Sequence, residues 1–237
     1  MYYIIVEMEL KDLNKIVKMS DEQLSQFDSY ARFLVEYNEK INLTAITEYS
    51  EIVEKHFYDS LLLSKYRKME GTLVDVGTGA GFPGVVLKIA FPELKVKLIE
   101  PLHKRCVFLN ELIERLDLKD IEVLNVRAED YSKNHREAFD FVTARAVTNL
   151  NALIELCGAM VKLDGCFIAL RGKDGLSEIE NAAFAINAMG FEVEDTFNDS
   201  LSDGSLRVIS FFRKRRKTSN KYPRSYSLIK KGPICQK

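Results

Sequence analysis

Three acidic residues stand at or just beyond the ends of three apolar runs. Asp75 lies within Leu73-Val74-Asp75-Val76, Glu100 closes Lys95-Val96-Lys97-Leu98-Ile99-Glu100, and Glu129 follows the run of Ile121, Val123, Leu124 and Val126. Directly after Val76 comes Gly77-Thr78-Gly79-Ala80-Gly81-Phe82-Pro83-Gly84. Gly77, Gly79 and Gly81 each remove a Cβ where the backbone must turn sharply or approach a ligand, and the turn is expected to deliver free N–H groups at a helix start. Glu100 falls about 20 residues after the loop, where a carboxylate accepts hydrogen bonds from both ribose hydroxyls of a nucleotide. The chemistry implied is the binding of a nucleoside cofactor.

Two features bear on which cofactor. A dinucleotide-binding turn usually reads G-x-G-x-x-G after a wholly apolar strand. Here the spacing is G-x-G-x-G, and Asp75 sits two residues before the first glycine. A carboxylate there suits a cationic sulfonium with an amino-acid tail and opposes a pyrophosphate. Glu129, in Arg127-Ala128-Glu129-Asp130 after the third run, can receive the adenine amino group. An isolated acid near a strand end more often caps a local turn. Three such acids in order favour S-adenosyl-L-methionine over NAD.

The elements that must position these groups follow from periodicity. Ser20-Asp21-Glu22-Gln23 is a capping box, and Leu24, Phe27, Ala31, Leu34 and Val35 continue at helical spacing. Asn38 to Thr44 reads as a loop, and a second helix from about Glu48 carries Ile52, Val53, Phe57 and Leu61. His56, beside that apolar stripe, reads as a hydrogen-bonded structural histidine. From Thr72 to Arg171, strands alternate with helices: Phe139 to Arg145 is the fourth strand, and Lys162-Leu163-Asp164-Gly165 is expected to turn into a fifth, Cys166 to Leu170. One further helix (Ile179, Ala182, Ala183, Ile186) leads to Phe191-Glu192-Val193 and then to Leu206–Phe212, read as a hairpin. The expected fold is α/β, a doubly wound, mostly parallel sheet with an antiparallel C-terminal edge, its ligand at the C-terminal ends of the strands. Residues 1–70 read as an N-terminal helical cap, 71–212 as the cofactor-binding domain and 213–237 as a basic tail.

Composition sets the class. With 237 residues, 46% hydrophobic and 29% charged, the chain can bury one substantial core. No apolar run reaches the length of a membrane span, and Tyr2 to Val6 is too short and lacks the basic flank of a signal peptide. A cytoplasmic monomer is expected. Cys106, Cys157, Cys166 and Cys235 form no C-x-x-C pair and have no spaced histidine partners, so no metal is expected and the thiols read as reduced. The net charge of −1 hides an asymmetry: from Ser205 onward there are eleven basic residues and no acid, leaving 23 basic against 35 acidic before it. A basic tail on an acidic body can bind a phosphate backbone, and Tyr222-Pro223-Arg224 within it can stack on a base and grip a phosphate.

The sequence resembles the small-subunit ribosomal RNA methyltransferase G family, also called glucose-inhibited division protein B. The resemblance rests on Tyr37 to Thr47, His56-Phe57-Tyr58-Asp59-Ser60-Leu61, Asp75 to Pro83, Lys104-Arg105, Arg127-Ala128-Glu129, Ala144-Arg145-Ala146 and Tyr222-Pro223-Arg224. It implies a class I, Rossmann-like methyltransferase that moves a methyl group from S-adenosyl-L-methionine to N7 of guanine 527 in 16S ribosomal RNA, free or within the small subunit. On that resemblance Gly77, Phe82, Ala128, Glu129 and Arg145 hold the cofactor, and Lys104, Arg105, Arg171 and Lys173 are candidates for RNA contact. Where the family usually shows Lys-Gly after the fifth strand, this chain has Arg171-Gly172 with Lys173 next.

The turn after the fourth strand, Arg145-Ala146-Val147, is not the Asp/Asn-Pro-Pro-aromatic turn of enzymes that methylate an exocyclic amine. Nor does a proline-cysteine pair suggest a thiol nucleophile. Guanine N7 has an unprotonated lone pair, so positioning groups rather than a proton shuttle are expected. A small-molecule methyltransferase explains the loop but not the acid-free tail, and a non-enzymatic RNA-binding protein with a vestigial cofactor pocket predicts RNA binding without measurable affinity for S-adenosyl-L-methionine.

Overall fold

The computed structural model describes residues 7–145, 148–232 and 234; Tyr2 to Val6, Ala146, Val147 and Cys235, named above, lie outside them. Ser20 caps α1 (Asp21–Asn38), its hydroxyl accepting from Gln23 N while the Gln23 amide accepts from Ser20 N. The same Gln23 side chain donates to the carbonyls of Ile89 and Ala90, satisfying the end of another helix. α1 buries Phe27, Tyr30, Ala31, Phe33, Leu34 and Tyr37, a wider face than the apolar spacing suggested because two tyrosines join it. A second helical run begins as α2 (Tyr49–Ile52), widens into a π turn at Val53–Tyr58, resumes as α3 (Asp59–Leu61) and tightens to 3-10 at Leu62–Lys65. π turns recur at functional sites, and this one carries His56.

β1 (Thr72–Val76), β2 (Lys95–Ile99), β3 (Ile121–Leu124), β4 (Phe139–Arg145) and β5 (Val161–Arg171) are parallel neighbours, while β6 (Phe191–Ser200) and β7 (Leu206–Lys214) pair antiparallel. The order β3-β2-β1-β4-β5-β7-β6 reverses between β1 and β4, which opens a crevice at their C-terminal ends. Alternate strand residues feed two cores. Leu73, Val96, Leu98, Ile168 and Leu170 pack on one side with α1, α4 (Gly84–Ala90) and α5 (His103–Arg115). Val74, Val76, Val142, Ala144 and Phe167 pack on the other with α6 (Ala128–Asn134), α7 (Leu150–Gly158) and the paired α8 (Gly175–Asn181) and α9 (Ala183–Ala188). Apolar residues on both faces are what a covered parallel sheet demands. The first core runs without a break from Leu13 and Phe27 to Phe108 and Phe211, so the helices before β1 share the sheet's own core.

Three local expectations are corrected. Lys162–Gly165 is not a turn but a bulged extension of β5: Val161 pairs with Phe139, Cys166 with Phe141, and Asp164 takes up the extra length at φ +58°. β6 continues past Val193 to Ser200, because its mostly polar residues 195–200 still pair with β7 after a bulge at Glu194. The single helix expected after β5 is broken at Ala182 into α8 and α9.

The basic tail is folded. Lys214, fully buried, donates to the carbonyls of Gly158 (2.6 Å) and Met189 (2.7 Å) and to Thr218 Oγ1. Arg136 donates to the carbonyls of Thr218 and Tyr222. Arg224 forks onto the fully buried Glu155, with Nη2–Oε2 at 2.7 Å and Nε–Oε1 at 2.9 Å, before α10 (Tyr226–Lys231) buries Ile229 against the second core. Tyr222 is only 9% exposed. The expectation that Tyr222 stacks on a base and Arg224 grips a phosphate is therefore corrected: the ring fills the core and the guanidinium neutralises Glu155. Arg213, Arg215 and Arg216 are also engaged, with Glu194, Glu192 and Asn187, and Arg213 lies opposite Cys166, at the end of the sheet remote from the crevice.

Removing one member of a buried ion pair strands the other. Arg224→Ala is expected to lower unfolding free energy by about 3–5 kcal/mol, read from urea titrations, while the Glu155→Met/Arg224→Met double variant recovers most of the loss.

Candidate active site

The glycine loop joins β1 to α4 at the crevice. Most of its amides are already engaged: Gly77 and Thr78 donate to Ile99 O, Gly79 to Glu100 Oε2, Gly81 and Phe82 to Thr78 O, Gly84 to Asp75 Oδ2 and Val85 to Gly81 O. The expectation of free N–H groups at the helix start is thus corrected. Asp75 occupies that start, its Oδ2 accepting from Gly84 N at 2.8 Å and Thr78 Oγ1 at 2.6 Å. A helix start that already faces a buried carboxylate opposes a pyrophosphate, which argues against a dinucleotide.

Asp75 is fully buried and its Oδ1 has no partner. Burial raises its carboxyl to about 6, against the opposing pull of Thr78, Gly84 and Arg145. An orphaned buried carboxylate oxygen calls for a donor or a cation, which a sulfonium nucleoside bearing an ammonium supplies. Gly79, at φ +62°, would aim a Cβ into open space, whereas a Cβ on Gly81 would strike Tyr30 Oη at 2.6 Å. Gly79 therefore borders the space available to a ligand, and Gly81 is needed for packing. Glu100, 2% exposed, accepts from Gly79 N (3.0 Å) and Leu102 N (2.9 Å), one bond per oxygen, so each oxygen retains accepting capacity. Ala128 and Glu129 are buried in the first turn of α6, beyond the C-terminal end of β3. The crevice thus brings together Gly77, Gly79, Gly81, Glu100, Ala128, Glu129 and Arg145 at consecutive strand ends.

Phe82 does not sit open to the crevice. It is 5% exposed, with ring centroids 5.4 Å from Tyr30 and 4.3 Å from His56 and the Arg145 guanidinium 5.0 Å above it. Its ring ties the loop to the cap. His56 Nδ1 faces Arg145 Nη2 at 3.2 Å, and arginine can only donate, so Nδ1 is the acceptor and Nε2 carries the proton toward Thr44 Oγ1 at 2.8 Å. Burial first, and Arg145 second, lower the His56 pKa to about 3, so the ring is neutral and structural. Asp59 bridges two cations, accepting from Arg145 Nη1 (3.2 Å) and Arg207 Nε (2.8 Å). These groups, with Lys55 and Arg171, line a cavity of about 380 Å³ at the ends of β4 and β5.

The remaining sequence candidates scatter. Lys104 and Arg105 line a separate hollow of about 590 Å³ with Lys40 and Asn42, Arg105 standing 3.8 Å from Glu100. Arg171 forks onto Glu178, with Nη2–Oε2 at 2.7 Å and Nε–Oε1 at 3.2 Å, a two-nitrogen geometry a lysine could not reproduce. Lys173 is exposed. Sequence reasoning missed Tyr30, Thr44, Lys55, Asp59 and Arg207. His56 to Leu61 was quoted as one matching stretch, yet nothing in spacing alone says that Asp59 meets a strand 148 residues later.

A family model for rRNA small subunit methyltransferase G matches residues 23–203. The chain is 46% identical over 225 residues to the ribosomal RNA small subunit methyltransferase G of Staphylococcus saprophyticus, covering 93% of this chain and 94% of that one. It is 47% identical to the protein of that name from Acetivibrio thermocellus, covering 92% and 91%. The chain belongs to the small-subunit rRNA methyltransferase G family. A SAM-dependent methyltransferase from Aquifex aeolicus has the same fold, at TM-score 0.53 and 18% identity over 75% of this chain and 97% of that one. For a methyltransferase G, the clamp of Tyr30, Phe82 and His56 explains why motifs before the glycine loop belong to the pattern: they hold the loop in shape.

The raised carboxyl of Asp75 makes a sign-specific prediction. The unfolded chain ionises it from about pH 3.8 upward, the fold only near 6, so Asp75 subtracts stability as pH rises between those values and the loss is complete above pH 6. Relative to the unaltered protein, Asp75→Asn is expected to gain about 3 kcal/mol between pH 4 and pH 7, read as the difference in urea unfolding free energy.

Proposed function

We propose that the protein transfers a methyl group from S-adenosyl-L-methionine to N7 of guanine 527 of 16S ribosomal RNA, in the crevice between the glycine loop and the basic cavity. Family membership supplies the reaction. The observation that carries the assignment of the site is the orphaned Asp75 carboxylate oxygen beneath the glycine loop, next to a cavity lined by Lys55, Arg145, Arg171 and Arg207. In this reading residues 1–70 are the cap, 71–212 the donor-binding unit and 213–237 the tail, and the protein works as a cytoplasmic monomer. No helix among the described residues is long and apolar enough to cross a membrane, and no cluster of three or more acidic, histidine or cysteine ligands occurs among them.

When bound, S-adenosyl-L-methionine supplies a methyl group on a positively charged sulfur. Glu100 accepts from its ribose, Glu129 and Ala128 border its adenine, and Gly77 and Gly79 admit it close to the backbone. Asp75 offers negative charge to its cationic end through Oδ1. Guanine N7 attacks with its own lone pair, so no side chain need remove a proton. The work left to the protein is in-line alignment, which contributes on the order of 7–11 kcal/mol. Arg145, held by Asp59, His56 and the Lys55 carbonyl, is a fixed donor for the guanine edge or its phosphate. A small uncharged acceptor would leave this convergence of cations without a purpose.

The test is to incubate labelled S-adenosyl-L-methionine with small-subunit particles and with bare rRNA, then map N7 methylation by chain cleavage at the modified guanine. Label in neither substrate overturns the proposal. Gly79→Asp is expected to abolish donor binding by calorimetry while the circular dichroism spectrum is kept. Donor affinity should rise with pH through about 6, as Asp75 ionises, and Asp75→Asn should flatten that rise.

A further inference from the structure

The folded tail ends in a contrast. It buries Tyr222 and Ile229 to 9% and 4% exposure but leaves Tyr226 42% and Leu228 48% exposed on α10. From Lys214 to α10 its path is fixed. It is anchored by Lys214 at the end of the sheet remote from the crevice, by Arg136 at Thr218 and Tyr222, and by the Arg224–Glu155 fork halfway along α7. By Tyr226 it has climbed back to the crevice edge, where the Arg127 guanidinium lies 5.4 Å from the ring centroid. Arg127 is itself exposed, and it is the residue that precedes Ala128 and Glu129 at the start of α6. An aromatic ring presented beside the crevice on a fixed support, with a guanidinium against it, has the form of a base-stacking platform.

Charge says what the ring meets. Lys230 and Lys231 complete α10, and the chain from Ser205 to its end contains no Asp or Glu. With the exposed Arg127 beside the ring, Lys230 and Lys231 complement a phosphate backbone and disfavour a basic protein partner. We propose that Tyr226, braced by Arg127, stacks on an unpaired base of the RNA substrate near the target guanine and so helps to hold the substrate over the crevice. The inference rests on the RNA-methyltransferase reading above and adds to it a contact in the tail. It also accounts for the tail's anchoring, since stacking is useful for positioning only if the ring cannot wander.

The sequence contains no tryptophan, so Tyr226→Trp places a single indole at the proposed contact. Titration with a 16S rRNA fragment containing the target guanine should quench its fluorescence, with the midpoint seen by filter binding. Tyr226→Ala should weaken RNA binding roughly 5- to 150-fold, with an unchanged salt slope, since the ring carries no charge, and an unchanged affinity for S-adenosyl-L-methionine. Tyr226→Phe should restore binding, which a merely structural loss would not predict for Ala alone. An indole left unquenched by bound RNA, or RNA affinity within twofold in Tyr226→Ala, overturns the platform. If assembled small subunits quench the indole but bare RNA bound at saturation does not, the patch belongs to a protein and the proposal is wrong. Continued methylation alongside an unquenched indole defeats the platform alone; failure of the unaltered protein to bind or methylate RNA defeats the reaction as well.

Discussion

The glycines of the loop have no side chains with which to hold its shape, and the rest of this structure is arranged to hold it in place. Tyr30 donates to the carbonyl of Ala80 at 2.5 Å, and burial pushes its hydroxyl pKa well above the usual range, so the donor is not lost by ionisation. Phe82 packs against Tyr30 and His56, and Asp75 fixes Thr78 and Gly84 from below. The conformational entropy that glycines would lose on ligand binding has thus been removed in the fold. The cap is best understood as this clamp, which is why its side chains and those of the sheet form one core.

The clamp is continuous with the acceptor side. His56 touches both Phe82 and Arg145, and Asp59 joins Arg145 to Arg207 on β7. A buried carboxylate between two guanidiniums leaves the cluster net positive while satisfying each partner, and a neutral imidazole adds an acceptor without adding charge. The arrangement keeps arginine forks rigid in a partly buried cavity. That is what alignment without proton transfer requires, because a loosely held cation would give attraction but not direction.

The tail solves a different problem. A run of basic residues with no acid near it in sequence would repel itself into a solvated coil, yet here it is folded because its acids come from elsewhere: Glu155 on α7, Glu192 and Glu194 on β6, Asp164 in the β5 bulge. Much of its positive charge is spent on structure. Part of what remains, Lys230 and Lys231, sits on α10, whose Tyr226 lies against Arg127.

The sheet was legible in the residues alone. Val-rich runs ending in Asp75, Glu100 and near Glu129 are local patterns, and local patterns fix strands, turns and the edge at which acids gather. So was the choice of a cationic nucleoside over a pyrophosphate, since the glycine spacing and the acids at successive strand ends carry that argument. Pairing partners were not legible. That Arg224 faces Glu155, that Asp59 receives an arginine from β7, and that Tyr226 rather than Tyr222 reaches the surface depend on contacts between residues far apart in the chain. A charge in sequence shows only that it must find water or an opposite charge; which of these it finds is decided when the layers pack.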